Sequence, residues 1–305
     1  MSGSWRKLGC IYTLPPGGVH PLLQSHVANP LPVHLHDDVY RVFYSARDAH
    51  KRSSVGAVDI DIVSRTVVHE HREPQFVYGP PGSFYADGVS IGNIYQAGGQ
   101  TYMLFMGWQN PADGHWRGDI GRIVVHADLS LTLASEQPFI GSDAIDPISL
   151  SYPWVEGYAD GSYRMWYGST MTWDAGNAEM IHIFNGATSR DGHIWHKTGL
   201  AVPYAVGVAQ AFSRPTVLRH EDGAHELWFS YRSGTGETYR IGHATSPDGV
   251  TWQLDVPYAA LTVSPSGWDA EMVEYPYVFR HRGNTYMLYN GNGNGRSGFG
   301  LAVRE

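Results

Sequence analysis

The stretch "RPTVLRHEDGAHELWFSY", Arg214 to Tyr231, reads as two short strands and the turn between them. An apolar run opens at Pro215, the polar group "HEDGAH" reverses the chain, and a denser run, "LWFSY", follows from Leu227. Proline suits the first residue of a strand, where no ladder donor is needed. The dense run has four counterparts: "VFYSA", "MLFMG", "MWYGS" and "MLYNG", starting at Val42, Met103, Met165 and Met287. In chain order the five starts lie 61, 62, 62 and 60 residues apart. So even a period is the mark of a repeat architecture.

The apolar opening repeats as well, as "NPLPVHL", "DGVSIGNI", "YPWVEGY" and "YPYVFRH". Aligning the openings sets Gly88 beside Pro30, Pro153, Pro215 and Pro276, with the extra turn "YQAGG" absorbing a longer second interval. Downstream, "ATSRDGHIW" and "ATSPDGVTW" end at Trp195 and Trp252. Both read S-x-D-G-x-x-W, a turn between two strands whose Asp–Gly supplies the tight geometry. Each repeat therefore reads as four short strands. The expectation is an all-β chain, a five-bladed β-propeller of four-stranded blades, forming one domain over 1–305. The last repeat, ending "GFGLAVRE", has only three strands, while Trp5, Lys7 and Gly9 match Trp195, Lys197 and Gly199. The N-terminal strand is thus expected as the fourth, outer strand closing blade five.

Composition agrees. Charged residues make up 16% of the chain, against about 25% in an average soluble protein, and there are 36 glycines. Both suit a turn-rich β-protein with a large core. The formal net charge is −8 without a Lys/Arg-rich run, so neither nucleic acid nor an anionic membrane is an expected partner. No apolar run of about 18 residues occurs. The start "MSGSWRKLGCIY" lacks the apolar core of a secretory signal, and a single cysteine, Cys10, excludes an internal disulfide. A cytoplasmic location is the expectation, with Cys10 as a buried structural thiol. P-loop, dinucleotide, G-x-S-x-G, H-E-x-x-H and cysteine-based metal patterns are missing, so no cofactor and no metal are expected. The alternating pair His34 and His36 falls short of a metal motif.

In a propeller, ligands bind where the inner strands begin and where the loops between second and third strands emerge. The column before the opening Pro or Gly is Asn29, Asp87, Tyr152, Arg214 and Tyr275. One residue earlier stand Ala28, Ala86, Ser151, Ser213 and Glu274. Structural repeats need no such variety, so these positions are either ligand-facing or a satisfied polar plug. Arg47, Asp48, Trp108, Arg232 and Asn290 lie at the loop ends nearest the strands. His26 precedes blade one, and Glu271 lies on the loop entering blade five. Aromatic faces to stack, with amides, carboxylates and guanidiniums to bond hydroxyls, suit a sugar ring.

"SRPTVLRHEDGAHELWFSYRSG", "ATSPDGVTW" and "YPYVFRHRGNTYMLYNGNG" resemble the five-bladed propeller glycosidases, glycoside hydrolase families 32, 43, 62, 68, 117 and 130. The resemblance spans the chain in period and blade pattern. In family 43 it implies an Asp base on blade one, a tuning Asp on blade two and a Glu acid in an E-x-P pattern on blade three. Asp87 matches the second. Asn29 and Ser151-Tyr152-Pro153 depart from the first and third, and the E-x-P here is Glu274-Tyr275-Pro276 on blade five. The catalytic candidates are therefore Asp87, Glu274 and Asp48. The candidates for binding a small-molecule or oligosaccharide substrate are Asn29, His26, Arg47, Trp108, Tyr152, Arg214, Arg232, Glu271, Tyr275 and Asn290. The expected function is acid–base chemistry on a small glycoside or sugar-containing intermediate. The alternative is a non-hydrolytic member of the fold, a sugar-binding protein or a biosynthetic enzyme with other chemistry.

Overall fold

The computed structural model describes residues 4–112, 114–256 and 261–305. The chain opens with β1 (Trp5–Tyr12) and continues as consecutive four-stranded antiparallel meanders. The first is β2 (Ser25–His36), β3 (Val39–Arg47), β4 (Ser53–Asp61) and β5 (Thr66–Phe76). The second is β6 (Gly88–Ala97), β7 (Gln100–Gln109), β8 (Arg117–Val125) and β9 (Leu131–Leu133). A single parallel pair, Ser53 with Gly88, joins these two into one eight-stranded sheet. Next comes the sheet of β10 (Leu150–Gly157), β11 (Tyr163–Thr172), β12 (Ile181–Ser189) and β13 (His196–Leu200). The following sheet holds β14 (Ser213–Arg219), β15 (His225–Tyr231), β16 (Arg240–Ser246) and β17 (Gln253–Leu254). The last strands are β18 (Glu274–His281), β19 (Asn284–Asn290) and β20 (Phe299–Arg304). Their sheet is completed by β1, paired antiparallel to β20 with Trp5 opposite Arg304. The opening strands contact one another in cyclic order: β2 with β6, β6 with β10, β10 with β14, β14 with β18, and β18 with β2.

The dense runs at the heart of each repeat lie in the second strands and are almost wholly buried. Phe43, Phe105, Trp166, Trp228 and Leu288 are each 1% exposed or less. Their faces interdigitate between adjacent meanders: Phe43 and Val55 share one cluster with Val89 and Phe105. Burying each such side chain contributes roughly 1.5–3 kcal/mol. The two S-x-D-G-x-x-W turns share one geometry. The Asp191 carboxylate accepts from the His193 and Ile194 amides at 2.8 Å, and Asp248 does so from Val250 and Thr251. Gly192 and Gly249 take φ of +73° and +69°, which side chains rarely adopt.

The opening strands carry a bulge that periodicity alone does not show. Ser151 pairs with Gly168, but the next pair is Trp154 with Trp166, so Tyr152 and Pro153 bulge out. Asn29-Pro30, Arg214-Pro215 and Tyr275-Pro276 bulge in the same way. All four residues before the proline have positive φ, between 29° and 57°. For non-glycine residues this costs on the order of 1–3 kcal/mol each.

The second meander corrects the sequence alignment. Ser90 pairs with Met106, the position that Gly168, Ser230 and Asn290 occupy in later repeats. Ser90 and Ile91 thus stand where Ser151 and Tyr152 stand, and Asp87, aligned with Tyr152 by sequence, lies four residues before Ile91. Gly92 falls where the strands converge: a Cβ there would come within 2.5 Å of the Pro153 carbonyl oxygen. Cys10 also differs from expectation. It is exposed, because register shifts on both sides of it turn β1 out of simple alternation. His34 and His36 are exposed and hydrogen-bond around Asp37, the first to its carbonyl and the second to its carboxylate.

Candidate functional site

The strand starts and the loops between second and third strands enclose one depression of about 540 Å³. Its floor is aromatic. Tyr152 and Tyr275, projected inward by their bulges, meet at 5.4 Å between ring centroids, with their hydroxyls 3.5 Å apart. Tyr239 packs beside Tyr275. Trp108, Trp116 and Trp173 wall the cavity. Trp173 stacks on His115 at 4.5 Å and meets Trp116 edge-on at 5.0 Å. The Trp108 indole donates to the Ser53 hydroxyl. Small residues of the column before the bulge, Ala28, Ser90, Ser151 and Ser213, leave the space open.

Of the sequence-expected residues, Asn29, Arg47, Trp108, Tyr152, Arg232 and Tyr275 line this cavity. The Asn29 side-chain oxygen is buried without a partner, an acceptor available to a ligand hydroxyl. Glu179 was missed. It stands in "WDAGNAEM", the β11–β12 loop whose likeness to "WDAEM" at Trp268 was its only sequence signal. Its carboxylate accepts from Arg232 at 2.6 Å, and that guanidinium lies 4.6 Å from the Tyr239 ring centroid. Gln210, fully buried, donates to the Glu179 and Met180 carbonyls and pins the loop. His182 was missed too. It sits between Ser151 (2.6 Å) and Thr170 (2.7 Å), and burial together with Arg232 lowers its pKa to about 3, so the imidazole is neutral.

The other candidates lie elsewhere, each for a physical reason. Asp87 lines a separate surface cavity with Arg52 and Arg117, and its carboxylate accepts from the Asn110 amide at 2.7 Å. It braces the wall from behind. Asp48 is enclosed by its own loop, accepting from the His50 and Arg52 amides and the Arg52 side chain. Burial raises its carboxyl, but those hydrogen bonds more than offset it and the net shift is downward. Asn290 ties the backbone together, donating to Val27 and Gly298 carbonyls and accepting from the Asn29 amide. Glu271 is exposed and engaged through its backbone. Arg214 is 2% exposed beneath the floor, donating to the Pro30 and Tyr275 carbonyls; burial lowers its pKa to about 10. It is the polar plug of the centre. His26 is buried behind Arg47, and burial first, then Arg47 and Arg296, lowers its pKa to about 4.

Glu274 borders the cavity without lining it. It is fully buried, and its carboxyl accepts from Asn294, which does line the cavity. Its other oxygen has no partner. Burial raises its pKa to about 8, against the Asn294 hydrogen bond and the Arg232 and Arg47 guanidiniums. At neutral pH it holds its proton. Among the described carboxylates, Glu179 alone lines the cavity.

No family model matches the chain. Two Mycobacterium tuberculosis proteins, "Uncharacterized protein MT1551" (strain CDC 1551 / Oshkosh) and "Uncharacterized protein Rv1502" (strain ATCC 25618 / H37Rv), are each 40% identical over 306 residues, covering 99% of both chains. Among solved structures, one described as "Glycoside hydrolase" superposes with a TM-score of 0.74 at 12% identity, covering 99% of this chain and 92% of that one. A structure from the GH130 family of mannoside phosphorylases, which contains glycoside hydrolases that target beta-1,2 mannosidic linkages in Candida mannan, gives 0.72 at 15% identity, covering 99% and 94%. The endo-arabinase of Bacteroides thetaiotaomicron VPI-5482 gives 0.64 at 12%, covering 96% of each. The chain has the β-propeller fold of these glycosidase-like structures; identities this low speak for fold alone.

Proposed function

The chain belongs to one family with the Mycobacterium tuberculosis protein Rv1502, and on that premise we propose a carbohydrate-active protein, a single five-bladed propeller over 1–305, that holds a small glycoside or sugar-containing intermediate in its central depression. The cyclic contacts of β2, β6, β10, β14 and β18 support the blade count. The observation that carries the ligand class is the cavity lining: three tryptophans and three tyrosines around a free amide oxygen and an ion-paired carboxylate. Flat apolar faces with a few fixed polar groups are what a pyranose ring needs. A cytoplasmic setting fits small glycosides better than external polymers. No helix among the described residues is long and apolar enough to cross a membrane.

In the catalytic reading, the two carboxyl groups nearest Arg232 and Tyr239 divide the work. Glu274 carries a proton at neutral pH and serves as the acid, while Glu179, paired with Arg232, serves as the carboxylate. Asp87 and Asp48 drop out of the catalytic set, as their carboxylates support loops. A panel of aryl glycosides tests this. Glu179→Gln and Glu274→Gln should each lower turnover at least about a hundredfold, the usual worth of an acid or base. Near-wild-type rates in both variants would remove the pair from catalysis. The second reading is a non-hydrolytic sugar-binding member of the fold. It is favoured by one observation: glycoside hydrolysis generally uses two carboxylates at the bond, and among the described residues only Glu179 lines the cavity. Sugar-induced thermal stabilisation without turnover of any aryl glycoside selects it.

A further inference from the structure

The charge of the cavity opposes that of the chain. The protein carries a formal −8, yet Arg47, Lys51 and Arg232 line the depression against one carboxylate, Glu179, which Arg232 already engages. Among the described residues, neither Arg47 nor Lys51 has a side-chain hydrogen bond or ion pair. The two belong to the same structural unit, the end of β3 and the loop to β4. Asp48 organises that loop by collecting two backbone amides and the Arg52 guanidinium. Within it Lys51 is held at φ +67°, a conformation of the left-handed region that a lysine adopts only under constraint. A built loop thus presents one half-buried guanidinium and, at the rim, one exposed ammonium to the same space.

The inner-strand order gives this wall a direction. β2 neighbours β6 and β18, so the meanders of β10 and β14 lie across the cavity. Glu179 and Arg232 come from those far meanders. The cavity is polarised, with the paired carboxylate on one side and two unneutralised cations on the other.

We propose that the ligand is an acidic sugar, one carrying a carboxylate or a phosphate that Arg47 and Lys51 bind while the ring lies on the aromatic floor. This deepens the reading of the depression as a sugar site and rests on it. A guanidinium offers paired donors to either oxyanion, and a flexible ammonium adds a point charge at the rim. Neutral sugars leave both cations without a counterpart.

Isothermal titration at low ionic strength tests the proposal with matched sets: glucose, glucuronate and glucose 6-phosphate, with the corresponding galactose and mannose sets and inorganic phosphate alone. The expected result is that a uronate or a sugar phosphate binds at least about tenfold tighter than its neutral parent, the worth of one charge-assisted contact. That preference should shrink by about tenfold in Lys51→Met and in Arg47→Met, and should weaken with added salt. Which acidic member wins distinguishes carboxylate from phosphate. Lys51 is exposed, so its variant tests the idea even if the Arg47 variant folds poorly. Equal binding of neutral and acidic members overturns the proposal and leaves the sugar site standing. Inorganic phosphate binding as tightly as every sugar phosphate overturns it too, because the anion would then not be the sugar's own. Binding of none of them overturns the sugar site and this inference together.

Discussion

Glu274 takes the place that Ala28, Ser90, Ser151 and Ser213 hold in the other repeats, and it is buried completely. Its pKa is raised to about 8 from an ordinary 4.5. A carboxyl that keeps its proton longer in the folded state than in the unfolded chain costs stability as pH rises. Below about 4.5 both states are protonated and nothing is lost; between 4.5 and 8 the unfolded chain ionises first; beyond 8 the loss is complete. Denaturant melts across this range should therefore show Glu274→Gln gaining on the wild type with rising pH, by a few kcal/mol in all. A constant difference would show that Glu274 ionises normally. At this scale the sequence was partly legible. E-x-P marked Glu274, and the aromatic column marked Tyr152 and Tyr275. A carboxylate's type and position do not reveal that nearby backbone amides engage it, as they do at Asp48 and Asp87. In sequence, a buried guanidinium that donates to two backbone carbonyls, as Arg214 does, looks like one awaiting a ligand.

In two meanders a lysine–aspartate–tyrosine cluster ties the entering loop to the meander's own sheet, in addition to apolar packing. The Lys7 ammonium bonds Asp269 at 2.6 Å, and the Tyr289 hydroxyl donates to the same carboxylate. Lys197, Asp146 and Tyr167 repeat the arrangement two meanders away. Both aspartates lie seven residues before the strand proline, Pro276 and Pro153. Asp269 is only 1% exposed, so removing its cation strands a buried charge. Lys7→Met should cost about 3–5 kcal/mol in chemical denaturation, and adding Asp269→Asn should recover part of it. A loss below about 0.5 kcal/mol would mean the pair is solvated. The lysine match between β1 and β13 was visible in sequence and placed β1 correctly. The register of the second meander was not visible. Gly88 does open β6, but the bulge that sets the register falls after Ile91 and depends on pairing across to β7, which no linear spacing encodes.

At the scale of the whole molecule, the ring of opening strands closes through the sheet that β1 completes, and the cavity exists because the ring closes. Deleting residues 1–14 removes the partner of β20 and exposes its ladder. The truncated chain should lose its single cooperative thermal transition or become insoluble, as followed by circular dichroism; a soluble protein melting like the wild type would contradict closure through β1. The repeat period revealed the architecture because every repeat must present the same faces to its neighbours. The cavity was less legible because its residues come from different repeats, and only the closed ring brings Glu179, Arg232, Arg47 and Lys51 to one space. The central claim is that this space is a sugar site. Saturation-transfer NMR on the wild type and on Trp173→Ala, with methyl glycosides and the acidic sugars above, tests it most directly. Saturation should pass to sugar ring protons in the wild type and fall sharply in the variant; no transfer from the wild type to any sugar, or equal transfer from the variant, would contradict it.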